Sequence, residues 1–156
     1  MNIRRATTKD IADISALMTR SAKEFIINEF SAEGRKVFLN LIRKNVIRDY
    51  METGFVYHVA EIDDRIVGVI GMKNNNHLYH LFVDSLHHGR GIAGSLWQYV
   101  MKKIVEKQDV KEFIVNSSNY AIGMYEAFGF VQTEPMQEKN GVLYNPMVLR
   151  LAEKNT

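Results

Sequence analysis

Cysteine is absent from this 156-residue chain, which excludes disulfides, thiolate metal sites and a cysteine nucleophile. That absence accords with a reducing compartment. Charge of one sign is scarce too, since 20 Lys and Arg against 18 Asp and Glu leave a net +2 with no basic block. Composition therefore gives nucleic acid no support as a partner. No apolar run approaches the roughly 18 residues of a membrane span, and the opening MNIRRATTKD has no apolar core of the kind a signal peptide carries. The expectation is a soluble, cytoplasmic protein that does not engage a membrane. Linker-like stretches, low-complexity tracts and internal repeats are also missing, so one domain over residues 1–156 is expected. A chain of this length can bury roughly two thirds of its unfolded surface, enough for a full core.

What is present is an alternation of strand and helix patterns. Asn2 to Ala6 reads as a strand, followed by a helix capped at Thr7 or Thr8 with Ile11, Ile14, Leu17 and Met18 at helical spacing. Ser31 caps a second helix, whose stripe of Val37, Phe38, Leu41, Ile42 and Val46 runs until Gly54 ends it. The runs FVYHVAEI and RIVGVIGMK flank Asp63-Asp64 as a β-hairpin, and HLYHLFVD is a further strand. Ala93 to Glu106 returns to helical spacing. A strand from Glu112 to Asn116, a short helix from Asn119 to Phe128, a strand from Phe130 and a last strand near Leu143 to Leu151 complete an α/β pattern with a mixed sheet.

Between strand and helix lies HHGRGIAGSLW, His87 to Trp97, with Gly89, Gly91 and Gly94 spaced G-x-G-x-x-G. Glycines there let the backbone approach a ligand while the helix's first N–H groups face outward, which makes an anion site suited to phosphate. A dinucleotide-binding turn fits poorly, because Asp84-Ser85-Leu86-His87-His88 separates the strand from Gly89 and Glu112 is the only loosely placed acid. A Walker loop is excluded, since no Gly-Lys-Ser/Thr follows. A tight turn with a satisfied helix start is the bland alternative.

Read further in both directions, LFVDSLHHGRGIAGSLW resembles the cofactor-binding motif of the GNAT superfamily of N-acetyltransferases. That motif is Gln or Arg, two residues, Gly, one residue, then Gly or Ala; here it reads His88-Gly89-Arg90-Gly91-Ile92-Ala93. NYAIGMYEAFGF, Asn119 to Phe130, is similar to the family's second motif, with its Asn, Ala-Ile pair, Tyr and Gly-Phe. His88 departs from the pattern by standing where Gln or Arg is usual. The resemblance implies a GNAT-like α/β fold: a mixed, mostly antiparallel central sheet of about seven strands flanked by about four helices.

The resemblance also implies a mechanism, an acetyl-CoA-dependent transfer to a primary amine; no metal is expected, because the adjacent His87 and His88 have no third His or carboxylate at ligand spacing. The pyrophosphate would lie on the amides of Gly89, Arg90, Gly91, Ile92, Ala93 and Gly94, with the Arg90 charge nearby and His88 beside them. The pantetheine would run along Leu81, Phe82 and Val83, where an N–H near Leu81 or Phe82 would serve the thioester oxygen. Tyr125 matches the family's tyrosine facing the departing sulfur. A thiol pKa of about 8.5 against about 10 for tyrosine makes its role assistance, not absolute dependence. Asn119 would contact the cofactor or cap its helix. Ser117 and Ser118 read as a strand-to-helix turn open to cofactor contacts.

For the base, His77 sits on the strand where some members place a glutamate, and it is neutral at pH 7. In a regular strand His80 would face the opposite side. Glu24 and Glu29, in EFIINEF where the family builds its acceptor pocket, are the other candidates. Direct amine attack is favoured over an acetyl-enzyme, because neither a Cys nor a Ser in a G-x-S-x-G setting is present. The acceptor is a small-molecule or peptide amine, and a homodimer is open by family habit. Competing functions are a non-catalytic acyl-CoA-binding module of the same fold and a dinucleotide-dependent enzyme.

Overall fold

The computed structural model describes residues 1–152. Strand β1 (Asn2–Arg5) leads into helix α1 (Ile11–Phe25) through a turn in which Thr7 and Asp10 form a reciprocal capping box. Arg4 holds both oxygens of Asp10 at 2.8 Å and also binds Glu61, tying β1 to the start of α1. On α1 the expected stripe is fully buried, with Ile11, Ile14, Leu17 and Met18 all at 2% exposure or less.

The single helix expected from Ser31 to Gly54 is two helices, α2 (Ala32–Leu41) and α3 (Lys44–Glu52). Ser31 does cap α2, accepting from the Gly34 amide. The break has a local cause. Ser15 of α1 donates its hydroxyl to the Ile42 carbonyl at 2.7 Å, and Arg43 turns to extended backbone. A carbonyl taken by a buried side chain is satisfied without continuing the helix, so Ile42 drops into the core and the chain restarts at Lys44. As a result Val37 and Leu41 of α2 stand outside the core, Phe38 packs only on its edge, and Gly34 is the one residue of that helix that is fully buried.

The hairpin is β2 (Val56–Ile62) and β3 (Arg65–Lys73), with Asp63 and Asp64 both at positive φ as a two-residue turn of right-handed twist demands. After β4 (His77–Val83) come α4 (Ile92–Lys107), β5 (Glu112–Ser117), α5 (Ile122–Ala127), β6 (Val131–Gln132), β7 (Gln137–Lys139) and β8 (Val142–Arg150). The sheet has eight strands where about seven were expected, and five helices replace four. The extra strand β7 pairs with β8 across an Asn140-Gly141 turn.

Strand order is β1-β2-β3-β4-β5-β8-β6, antiparallel except between β4 and β5. One face carries α4 and α5 over a core of Leu96, Trp97, Phe113, Val115, Tyr125 and Phe130. The other carries α1 and α3 over Leu17, Met18, Ile47, Tyr57, Val59 and Phe82. The N-terminus of α2 rests directly on the β7–β8 turn. A side chain at Gly34 would meet the Gly141 carbonyl oxygen at 1.9 Å, so this contact exists only between two glycines.

Candidate active site

The parallel pair β4–β5 touches at only two positions, His77 with Ile114 and Leu78 with Val115. Beyond them the strands diverge, so the β5-facing backbone of Leu81, Phe82 and Val83 lacks a strand partner. A cavity of about 1110 Å³ opens from this split. It runs from the glycine turn past β4 to α2 and β8, with the end of α1 and the start of α5 closing its sides.

At the glycine turn Gly89 and Gly91 stand at φ +77° and +73°, and a Cβ on either would project into open space. Gly91 precedes α4 without any side-chain cap, so the amides of Ile92, Ala93 and Gly94 open the helix unsatisfied. Arg90 is exposed and makes no ion pair among the described residues. His88 lines the cavity with its ring engaged: Nε2–H donates to the Val83 carbonyl at 2.8 Å and the ring packs on Phe25 at 5.3 Å. Its side chain thus braces the strand end against the turn. The Gln or Arg that usually stands there has a longer reach.

A bulge in β4 alters the expected facing of the histidines. Gly71 of β3 opposes His80 while Met72 opposes Leu78, which leaves Tyr79 as the extra residue. The extra residue resets the alternation, so His77 and His80 line the same cavity, contrary to the regular-strand expectation. His80 is buried with its Nδ1 at 2.9 Å from the Tyr57 hydroxyl, and burial pushes its pKa down to about 3. Burial, with Lys73 adding to it, lowers His77 below the usual imidazole range. Both rings are neutral at pH 7.

Tyr125, at 4% exposure, packs edge-on against Phe128 and Phe130, yet it lines the cavity and its hydroxyl has no partner among the described residues. Burial raises its pKa, so the phenol keeps its proton. Asn119 does not cap α5, which is preceded by Ser118 accepting from the Ala121 amide. Its Nδ2 donates to Glu29 at 2.5 Å and its Oδ1 accepts from buried Asn145 at 2.7 Å, away from the cavity wall. Glu24 and Glu29 do not line the cavity either, whereas Phe25, Ile26 and Phe30 of the same stretch do. The sequence reasoning missed the α2 face and Val142 to Tyr144. The Asn140-Gly141 pair was the available signal for the second, as a favoured hairpin turn.

A family model described as the acetyltransferase (GNAT) domain matches residues 26–151, well over half of the chain. The chain belongs to the GNAT superfamily. Among curated relatives, N-acetyltransferase 8B of Homo sapiens is 30% identical over 102 residues, 57% of this chain and 44% of that protein. The chain spans less than half the length of the curated relatives it matches. A GCN5-related N-acetyltransferase from Rhodopseudomonas palustris superposes with a TM-score of 0.83 at 18% identity, covering 96% of this chain and 95% of that one. PaiA N-acetyltransferase from Thermoplasma acidophilum, solved with coenzyme A, superposes with a TM-score of 0.77 at 15% identity, covering 96% and 98%. The GNAT fold places the split strands, the glycine turn and the opening of α4 around one cavity.

Proposed function

We propose that the protein is an acetyl-CoA-dependent N-acetyltransferase that moves the acetyl group to a primary amine by direct attack in a ternary complex. The observation that carries this is the continuity of one cavity from the uncapped, left-handed glycine turn, along unpaired β4 backbone, to the free hydroxyl of Tyr125. Coenzyme A in the PaiA relative adds support for the ligand class.

The residues fit acetyl-CoA, which supplies an activated thioester when bound. Gly89 and Gly91 leave the space a phosphate needs, and the amides of Ile92 to Gly94 direct partial positive charge into it. Arg90 adds a full charge at the exposed rim. Leu81, Phe82 and Val83 offer main-chain groups for amide pairing, apart from the Val83 carbonyl that His88 holds, and an N–H near Leu81 or Phe82 meets the thioester oxygen as negative charge grows there. Tyr125, protonated, donates toward the departing sulfur. His77, neutral and on the same cavity, takes the proton that the amine sheds. Asn119 is left out of the cofactor contacts because Glu29 and Asn145 occupy its amide.

Thermal unfolding in the presence of CoA, acetyl-CoA, NAD and NADP tests the ligand class. CoA species at 100 times their Kd should add about 2.7 kcal/mol and raise the Tm, while the dinucleotides leave it unchanged. A rise with NAD or NADP alone, or with none of the four, would overturn the proposal.

A further inference from the structure

α2 is an amphipathic helix whose apolar face the protein covers only in part, with Phe38 packed edge-on against Phe30. Val37 and Phe38 are half-buried and Leu41 is 41% exposed, and all three line the cavity. Together with Phe30, Ile42 and Leu143 they form an apolar wall on elements that carry no part of the glycine turn. Among the described residues no Asp or Glu lines the cavity, and the one Lys or Arg that does is Lys139, on the β7–β8 hairpin. We propose that the acceptor is a primary amine carried on an apolar aliphatic or aromatic body with no second positive charge, its body lying against the α2 face.

The inference rests on the acetyltransferase reading and narrows its substrate class. An apolar body removes the α2 face from water, which favours binding in proportion to the area covered. The reacting amine must be neutral to attack, and a low-dielectric wall disfavours its charged form. A second ammonium, as in a polyamine or a lysine-rich peptide, would lose hydration against this wall with no carboxylate to meet it. Lys139 would repel it further.

The test measures acetyl transfer by the intact protein to 2-phenylethylamine, hexylamine, spermidine and a lysine-rich peptide, and calorimetric binding of each to the CoA-loaded protein. The two monoamines should exceed both polycations by at least about tenfold in kcat/KM, with the same order in binding. Leu41→Glu, at an exposed position, should move the ratio at least about tenfold toward spermidine while CoA affinity and Tm stay in place. Polycations equal or preferred, in turnover or in binding, would overturn the acceptor assignment alone, as would monoamines that do not bind. A ratio unmoved by Leu41→Glu would overturn the role of α2. Failure of CoA to bind would instead overturn the acetyltransferase reading, and this inference with it.

Discussion

Tyr125 combines a packed ring with a free hydroxyl, and the two can be separated by one atom. Tyr125→Phe keeps the edge-on contacts with Phe128 and Phe130, so the fold and the CoA affinity should be retained. Its kcat should fall by up to about 100-fold, the low end of a general-acid contribution, as assistance to an already good thiolate leaving group implies. An unchanged kcat would remove the acid role. His77 belongs to the same set of measurements. Its pKa lies below the ordinary imidazole value of about 6.5 because burial disfavours the cation, so the active base form is lost only on the acid side of that value. The acid limb of kcat/KM should therefore sit below about pH 6.5 and vanish in His77→Gln; a limb that persists would exclude His77 as the base. The position of Tyr125 in its motif was legible from the sequence. That His77 and His80 share a cavity was not, because the bulge at Tyr79 comes from pairing with β3 and nothing in HLYHLFV marks it.

At the scale of elements, the start of α4 is the most informative piece. Gly91 stands at φ +73°, a region where a β-branched residue is strained by roughly 1–2 kcal/mol, and its missing side chain faces open space. Gly91→Val should thus cost a few degrees of Tm and, by blocking the backbone approach, weaken CoA binding at least about tenfold by calorimetry. CoA affinity unchanged in the folded variant would argue that phosphate does not rest on this turn. Strand and helix positions from Val56 to Lys107 were readable because their periods are clean and their turns carry Asp-Asp, Asn-Asn and Gly signals. The division of α2 from α3 was not readable: the stripe from Val37 to Val46 is continuous in the sequence, and the interruption comes from Ser15, 27 positions away. Strand β7, three residues long, has too little pattern to register by period alone.

For the whole molecule, the two cores on opposite faces of one sheet tie stability to pH through buried histidine. His80 titrates near pH 6.5 when unfolded, yet burial holds its folded pKa down to about 3. The unfolded chain therefore takes up the proton first. The stability associated with neutral His80 is intact above about pH 6.5 and is lost as pH falls toward 3, with a slope of up to about 1.4 kcal/mol per unit. His58 adds in the same direction, since burial beside Tyr99, with Lys103 and Arg5 near, lowers it to about 4. Urea unfolding between pH 7 and 4 should show this loss, and His80→Gln should flatten it by close to one proton. An equal slope in the variant would contradict the assignment to His80.

Taken by itself, the amino-acid sequence determined the α/β alternation, the buried stripe of α1, the hairpin at Asp63-Asp64, the glycine turn before α4 and, through two motifs, the superfamily. These depend on local periods and on the special backbone freedom of glycine, which neighbouring residues specify on their own. Only the tertiary structure decided that β4 and β5 part after two residue pairs and that His88 is tied to Val83. It also decided that Asn119 serves Glu29 and Asn145, and that the α2 face is turned to a cavity instead of the core. Each of these depends on partners far apart in the chain. A side chain's period states that it has an apolar or polar side, and only packing states what that side meets.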